Sequence, residues 1–449
     1  MEAAKPGYLF SDQALYRLCI PLVIEQLLNV TVGMADSVMV ASAGESAVSA
    51  VSLVDTVMVL LINVFAALAT GGAVVAGQYL GRQAERGACQ ATNQLILFLT
   101  SFSLALMAAM YLGKNLILHG VFGKIEADVM VQARNYLLIV FASIPFIAVY
   151  NGGAALFRAM GNSRITMKIS LFMNAVNILG NALLIYGFRL GVVGAAIPTL
   201  ISRIIAAVIA AALLRNQELT LHLTKPFEFR FMKGMIKRIL YIGVPSGLEN
   251  SMFQLGKIMV LSLVTSFGTT AIAANAVSNT VALFQILPGM AMGLAIIAVV
   301  SQCVGAGEYD QVKYYTKKLM IWIYGGMVGV NLLIFLAMPL IIRIYQLTPQ
   351  TAETARKILI YHGLCACILW PAAFSLPNAL RAANDVKFCM VASVLSMWIW
   401  RIGFSYVLGK TLNWGVFGVW VAMTIDWVCR LICFIWRWVR GKWKYRSIV

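Results

Sequence analysis

Two carboxylates and a row of amides stand where an apolar chain has least reason to keep them. Glu25, Asn29 and Asp36 fall inside a mostly apolar run built chiefly of Val, Leu, Ile and Met. On a 3.6-residue helix the three lie within about 40° of one another and span about 16 Å along the axis. A carboxyl group on such a helix can carry a proton, or give it up to hold a metal cation. Asn174, Asn177 and Asn181, spaced by 3 and 4, form a second polar face. The side-chain oxygens of Asn177 and Asn181 could meet a cation, Na+ included, or Asp36 itself. Glu25 and Glu249 each follow a proline by four residues. Each reads either as a gate or contact for a cationic compound, or as an acid favoured by a helix N-terminus.

Other charged residues fall singly or in short pairs. Asp426 and Arg430 are four apart and read as an internal ion pair. Lys257 stands two turns past Glu249 and could neutralise it. Asp55 is expected at the water interface. Arg203 and Arg401 have no same-helix partner. No catalytic set emerges. His119, His222 and His362 are scattered, and there is no His-Glu-x-x-His, no Gly-x-Ser-x-Gly and no nucleotide-binding loop. The reading is therefore not an enzyme, with no cofactor and no ATP as energy source. The eight Cys lack metal-ligand spacing and read as packing residues.

The elements that must hold these groups are membrane helices. Hydrophobic residues make up 61 % of the chain and charged residues 12 %, against roughly a quarter charged in soluble domains. Mean hydropathy is +0.84. A bilayer core about 30 Å thick takes about 20 apolar residues per helical crossing. Twelve such segments can be drawn, about 14–40, 48–78, 89–113, 132–157, 165–187, 192–214, 238–265, 273–303, 318–343, 356–380, 387–409 and 415–437. Their length excludes barrel strands, which alternate over about 10 residues. The net charge of +18 is a topology signal, not a nucleic-acid footprint. With the N-terminus inside, most Lys and Arg fall in inner loops and ends, chiefly Arg215 to Arg238 and Arg437 to Arg446. Both termini are therefore expected in the cytoplasm of a multi-pass cell-membrane protein. No cleavable leader is read at the start, so the first helix serves as the insertion signal.

The chain also repeats itself. Pro21 to Arg82 returns 224 positions later as Pro245 to Ala306, with Pro21/Pro245, Glu25/Glu249, Gly44/Gly268, Thr56/Thr280, Gln78/Gln302 and Gly81/Gly305 in register. Gly191, Val192 and Gly194 return as Gly415, Val416 and Gly418. Leu156-Phe157-Arg158-Ala159 returns approximately as Ala379-Leu380-Arg381-Ala382. The expected architecture is all-α: a six-helix lobe over 1–214, a cytoplasmic linker over 215–237 and a second six-helix lobe over 238–449. Six crossings per half relate the lobes by a pseudo-twofold along the membrane normal. The repeat symmetry is broken where a cation would sit: Val260 stands opposite Asp36 and Arg401 opposite Asn177, and neither can bind a cation.

Met34-Ala35-Asp36-Ser37-Val38-Met39-Val40, the Gly-bounded turn after it, Gln78-Tyr79-Leu80-Gly81, and Leu156-Phe157-Arg158-Ala159-Met160-Gly161-Asn162 together resemble the multidrug and toxic compound extrusion (MATE) family. The resemblance implies two six-helix lobes around a central cavity. It implies export of amphipathic, often cationic organic compounds, driven by inward H+ or Na+. The family's first-helix acid falls at Asp36 and its fifth-helix polar pair at Asn177 and Asn181. Asn151 and Thr199 match further polar residues of that cluster. Helix ten, through Phe374-Ser375-Leu376-Pro377-Asn378, carries none of the acids found there in some members. The implied partners are small-molecule substrates and the bilayer, with no nucleic acid, and the carrier is read as a monomer. The competing reading is a lipid-linked oligosaccharide flippase of the same superfamily fold, in which Lys257 and Arg401 would hold pyrophosphate. A carrier of the major facilitator type would show Gly-x-x-x-Asp-x-x-Gly-Arg after helix two; Gly77 to Gln83 lacks that Asp.

Overall fold

Long apolar runs punctuated by Gly and Asn turns can satisfy their backbone only as helices, and they do so. The computed structural model describes residues 7–123 and 126–445, so Lys124 and Arg446 lie outside the described residues. Twelve helices follow the twelve expected segments. They are α1 (Asp12–Ala41), α2 (Glu45–Gly81), α3 (Glu85–Leu112), α4 (Ala127–Ala159), α5 (Ser163–Gly187) and α6 (Gly191–Leu214). The second six are α7 (Lys233–Thr265), α8 (Thr269–Gln285, resumed as Leu287–Gly305), α9 (Tyr309–Ile344), α10 (Pro349–Ala382), α11 (Val386–Thr411) and α12 (Gly415–Val439). Among the described residues, eleven helices are long and apolar enough to cross a membrane. The exception among the twelve is α7, whose apolar run is diluted by Glu249, Asn250, Gln254 and Lys257.

The repeat is written in the backbone as well as in the sequence. Gly44 and Gly268 precede α2 and α8 with φ of 107° and 95°. Arg189 and Asn413 take φ of 54° and 56°, and Gly191 and Gly415 take 56° and 58°. The N–H of Leu190 donates to the carbonyl of Leu184 at 3.0 Å, and that of Trp414 to Leu408 at 3.1 Å. Each turn brings a glycine onto the preceding helix. A Cβ on Gly194 would stand 3.0 Å from the Leu184 backbone, and one on Gly418 would stand 2.8 Å from that of Leu408. No larger residue fits either approach without displacing a main chain.

The described residues divide into two compact units, 14–247 and 248–445, the second joined by residues 7–13. In the first unit α2 packs along α3 and α4, and α5 along α6. The glycine stretch of α2 lets helices approach closely. A Cβ on Gly71 would lie 2.5 Å from the Ile239 carbonyl, and one on Gly72 would lie 2.5 Å from Leu95. The division thus falls within α7, whose first turns belong with α2, and not in the 215–237 linker. That linker is no free tether. Thr224 donates its N–H to Asn93 Oδ1 at 3.2 Å, Gln94 Nε2 donates to the Arg230 carbonyl at 2.9 Å, and the Met232 N–H donates to Gln94 Oε1 at 2.8 Å. It is bound to α3. In the second unit α8 packs along α9, and α10 along α12. The arm before α1 docks there. Leu9 N–H donates to Gln311 Oε1 at 2.9 Å, Phe10 N–H donates to the Tyr315 hydroxyl at 2.8 Å, and Asp12 pairs with Lys318.

Candidate functional site

The polar faces of α1 and α5 meet rung by rung. Thr166 Oγ1 donates to Glu25 Oε2 at 2.8 Å, and Ser170 Oγ to Asn29 Oδ1 at 3.0 Å. Asn174 Nδ2 donates to Asn29 Oδ1 at 3.2 Å, and Asn181 Nδ2 to Asp36 Oδ1 at 2.9 Å. Thr166 and Ser170 extend the α5 face at the same spacing of four, a signal present in the sequence and overlooked there. Groups this polar satisfy one another because lipid offers them nothing.

Asp36 is the centre of the last rung along α1. The amide of Asn177 faces it at 2.9 Å from Oδ1 and 3.1 Å from Oδ2. With Nδ2 toward Asp36, Asn177 donates to an ionised carboxylate and its Oδ1 accepts from Thr199 Oγ1 at 3.2 Å. With the amide turned over, Nδ2 donates to Thr199 Oγ1, which itself donates to the Ala195 carbonyl at 2.9 Å. Asn177 Oδ1 then faces the carboxyl oxygens, an arrangement that needs a proton or a cation between them. Asn177 and Asn181 are buried and Asp36 half-buried. Asn181 Oδ1 is buried with no hydrogen-bond partner. The fold therefore brings Asp36, Asn177, Asn181 and Thr199 together. Asn151 makes none of these hydrogen bonds, and its Nδ2 is buried without a partner.

A second carboxylate stands near. Asp55 is half-buried and accepts from the Tyr136 hydroxyl at 3.2 Å, a partner the sequence did not offer. Tyr136 comes from α4, 81 positions away, beyond the reach of any local pattern. Arg203, unassigned from sequence, donates from Nη1 to Ser143 Oγ at 2.8 Å and lies within electrostatic range of both Asp36 and Asp55.

Glu25 and Glu249 each meet an arginine of the same repeat position. Arg158 Nη1 stands 3.8 Å from Glu25 Oε1, and Arg381 Nη2 donates to Glu249 Oε1 at 2.7 Å. Lys257 does not neutralise Glu249; Arg381 does, from 132 positions away. Both acids sit far beyond the first turns of helices that begin at Asp12 and Lys233. A dipole effect confined to the first turn does not account for them. Asp426 and Arg430 form the expected ion pair at 2.9 Å.

The family model MatE matches residues 21–183 and again 245–407, the second match displaced from the first by the 224 positions of the repeat. The chain is 27 % identical over 441 residues to the Uncharacterized transporter YisQ of Bacillus subtilis, covering 96 % of this chain and 93 % of that one. It is 25 % identical over 446 residues to the Probable multidrug resistance protein NorM of Thermotoga maritima, covering 97 % and 94 %. An outward-facing multidrug resistance MATE family transporter of the MOP superfamily has the same fold, with a TM-score of 0.89, 20 % identity and 95 % of each chain covered. With its family model matched once in each half, the chain belongs to the MATE family of membrane transporters and is not an enzyme.

Proposed function

We propose that the protein is a secondary active exporter of amphipathic, often cationic organic compounds, driven by inward H+ or Na+ across the cell membrane, with both termini cytoplasmic and a single chain as the working unit. The name of its Thermotoga maritima relative supports multidrug efflux. The observation that carries the coupling is the amide of Asn177 against Asp36. Turning this amide over would match either charge state of the carboxyl group. An ionised Asp36 takes N–H donors from Asn177 and Asn181. A protonated Asp36 donates to Asn177 Oδ1, and the 2.9 Å separation suits an O–H···O hydrogen bond. The unpartnered Asn181 Oδ1 supports a metal cation in the same place. Loading and unloading the ion thus re-pairs α1, α5 and α6 through Thr199. A carrier needs such a difference between ion-bound and ion-free states, because an ion that favours neither moves nothing.

Glu25 and Glu249 enter this scheme as gate or drug contacts. A cationic compound reaching either acid competes with a guanidinium already in place. The test is drug efflux from reconstituted vesicles with a pH gradient and a Na+ gradient imposed separately. Export driven by one gradient alone names the ion. Export that neither gradient drives refutes secondary coupling.

A further inference from the structure

Three cations of the second unit crowd one aromatic ring. Lys257 Nζ lies 5.9 Å, Arg401 Cζ 5.0 Å and Arg430 Cζ 5.7 Å from the centroid of Phe253. They come from α7, α11 and α12. Arg430 is committed, to Asp426 Oδ1 at 2.9 Å and to the Ser393 carbonyl at 3.0 Å. Arg401 and Lys257 are not. Among the described residues neither forms an ion pair, and Asp426 is the acid in electrostatic range of Arg401. The cluster holds three positive charges against one negative, in a segment where each uncompensated charge is costly.

The three cations differ in exposure. Arg430 is buried at 3 % exposure, Arg401 is half-buried and Lys257 exposed, so the charges run from the packed interior outward. Arg401 sits on a π-helical stretch of α11, Met397–Gly403, a distortion frequent at functional sites. Trp427, one residue after Asp426, is buried at 3 %, and its indole Nε1 has no hydrogen-bond partner. Its ring meets Phe374 at 6.0 Å and His362 at 5.2 Å. His362 is already engaged, with Nδ1 2.6 Å from Gln285 Oε1. Two unpaired cations beside an aromatic face call for an acceptor with negative charge and an apolar body.

Arg401 and Lys257 also occupy the repeat counterpart of the first-unit acid site. Arg401 corresponds to Asn177, and Lys257 lies three residues before Val260, the counterpart of Asp36. The repeat has kept the location and reversed the sign. We propose that Lys257 and Arg401 form a binding site for the oxyanion group of a soluble amphipathic organic anion, an aromatic carboxylate in the simplest case. The guanidinium fork suits a carboxylate, and Phe253 and Phe374 offer rings to its body. This site goes beyond the exporter reading, since it does not involve Asp36 and holds charge of the opposite sign.

The test uses the full chain in phosphatidylcholine nanodiscs and fluorescence anisotropy with 6-carboxyfluorescein. Saturable binding is expected, weakened roughly tenfold or more in Arg401→Gln and in Lys257→Gln, the scale of one charged hydrogen bond. Arg401→Lys retains charge and is expected to recover part of the loss. Ethidium binding and a monodisperse elution profile report that each variant is folded. Equal affinity of wild type, Arg401→Gln and Lys257→Gln, or no binding by folded wild type, overturns the proposal. A second arm adds phosphatidylglycerol to the discs. Unchanged affinity supports a soluble ligand, whereas displacement of the dye assigns the site to a lipid headgroup and overturns a soluble one.

Discussion

Arg381 Nη2 donates to Glu249 Oε1 at 2.7 Å, while its repeat counterpart Arg158 stands 3.8 Å from Glu25. The two pairs differ in what else they hold. Glu25 also accepts from Thr166, whereas Glu249 Oε2 is buried with no partner. Arg381 in turn donates to Asn378 Oδ1 at 2.7 Å. Removing one member of a buried pair leaves the other charge uncompensated, at a cost of about 3–5 kcal/mol. Glu249→Gln should therefore lower the detergent melting temperature more than Glu25→Gln. Replacing both partners, as in Glu249→Met with Arg381→Leu, should recover much of the loss. Equal melting temperatures for the two single variants would show that the shorter contact adds nothing.

The two arginine pairs also mark where local reading ends. Asp36 and the asparagine row of α5 were legible because helical periodicity places i, i+3 and i+4 on one face, and burial in lipid forces such faces together. The α7 acid was legible too, as the repeat of Glu25. Its partner was not. Arg381 is three helices away, and proximity along the chain favoured Lys257 instead. The partner of Asp55 was hidden for the same reason, since Tyr136 reaches it from α4. The linker was legible as a polar segment between the halves; that side chains of α3, Asn93 and Gln94 among them, fasten it was not.

The glycine turns give a test of the repeat itself. Gly194 and Gly418 play one role in two halves, but the second approach is tighter, 2.8 Å against 3.0 Å to the facing backbone. Ala at either position forces a main chain to move, and overpacking of this kind costs roughly 1–3 kcal/mol. Gly418→Ala should reduce the melting temperature more than Gly194→Ala, and Gly33→Ala, whose Cβ meets nothing within 4 Å, should leave it unchanged. A neutral Gly418→Ala would mean that the α11–α12 turn yields freely.

Membrane orientation follows from charge placement. Ser42 is exposed in the turn after α1 and Thr269 at the start of α8, while Glu85 is exposed at the start of α3 and Glu228 in the linker. In a Cys-free background, single Cys at 42 and 269 should react with an impermeant maleimide added to intact cells. Cys at 85 and 228 should react only after lysis. Labelling of the second pair from outside would invert the topology and remove the expectation of cytoplasmic termini.

The decisive prediction concerns Asp36. Asn is nearly isosteric with Asp, so Asp36→Asn keeps the packing of α1 against α5 and removes only the titratable group. Asn181 Nδ2 can still donate to the oxygen that replaces Oδ1, and the Asn177 amide can still turn over. What is lost is the difference between a loaded and an unloaded state. Gradient-driven export should therefore fall to the background of empty vesicles, while expression and melting temperature stay near wild type. Asn177→Leu should damage both, because it also strands Thr199 and leaves Asp36 one donor short. Glu249→Gln should reduce export or change which compounds are carried, yet leave ion-driven transport measurable. Export by Asp36→Asn at the normal gradient-driven rate, or loss of coupling in Glu249→Gln alone, would move the coupling ion out of the first half of the chain.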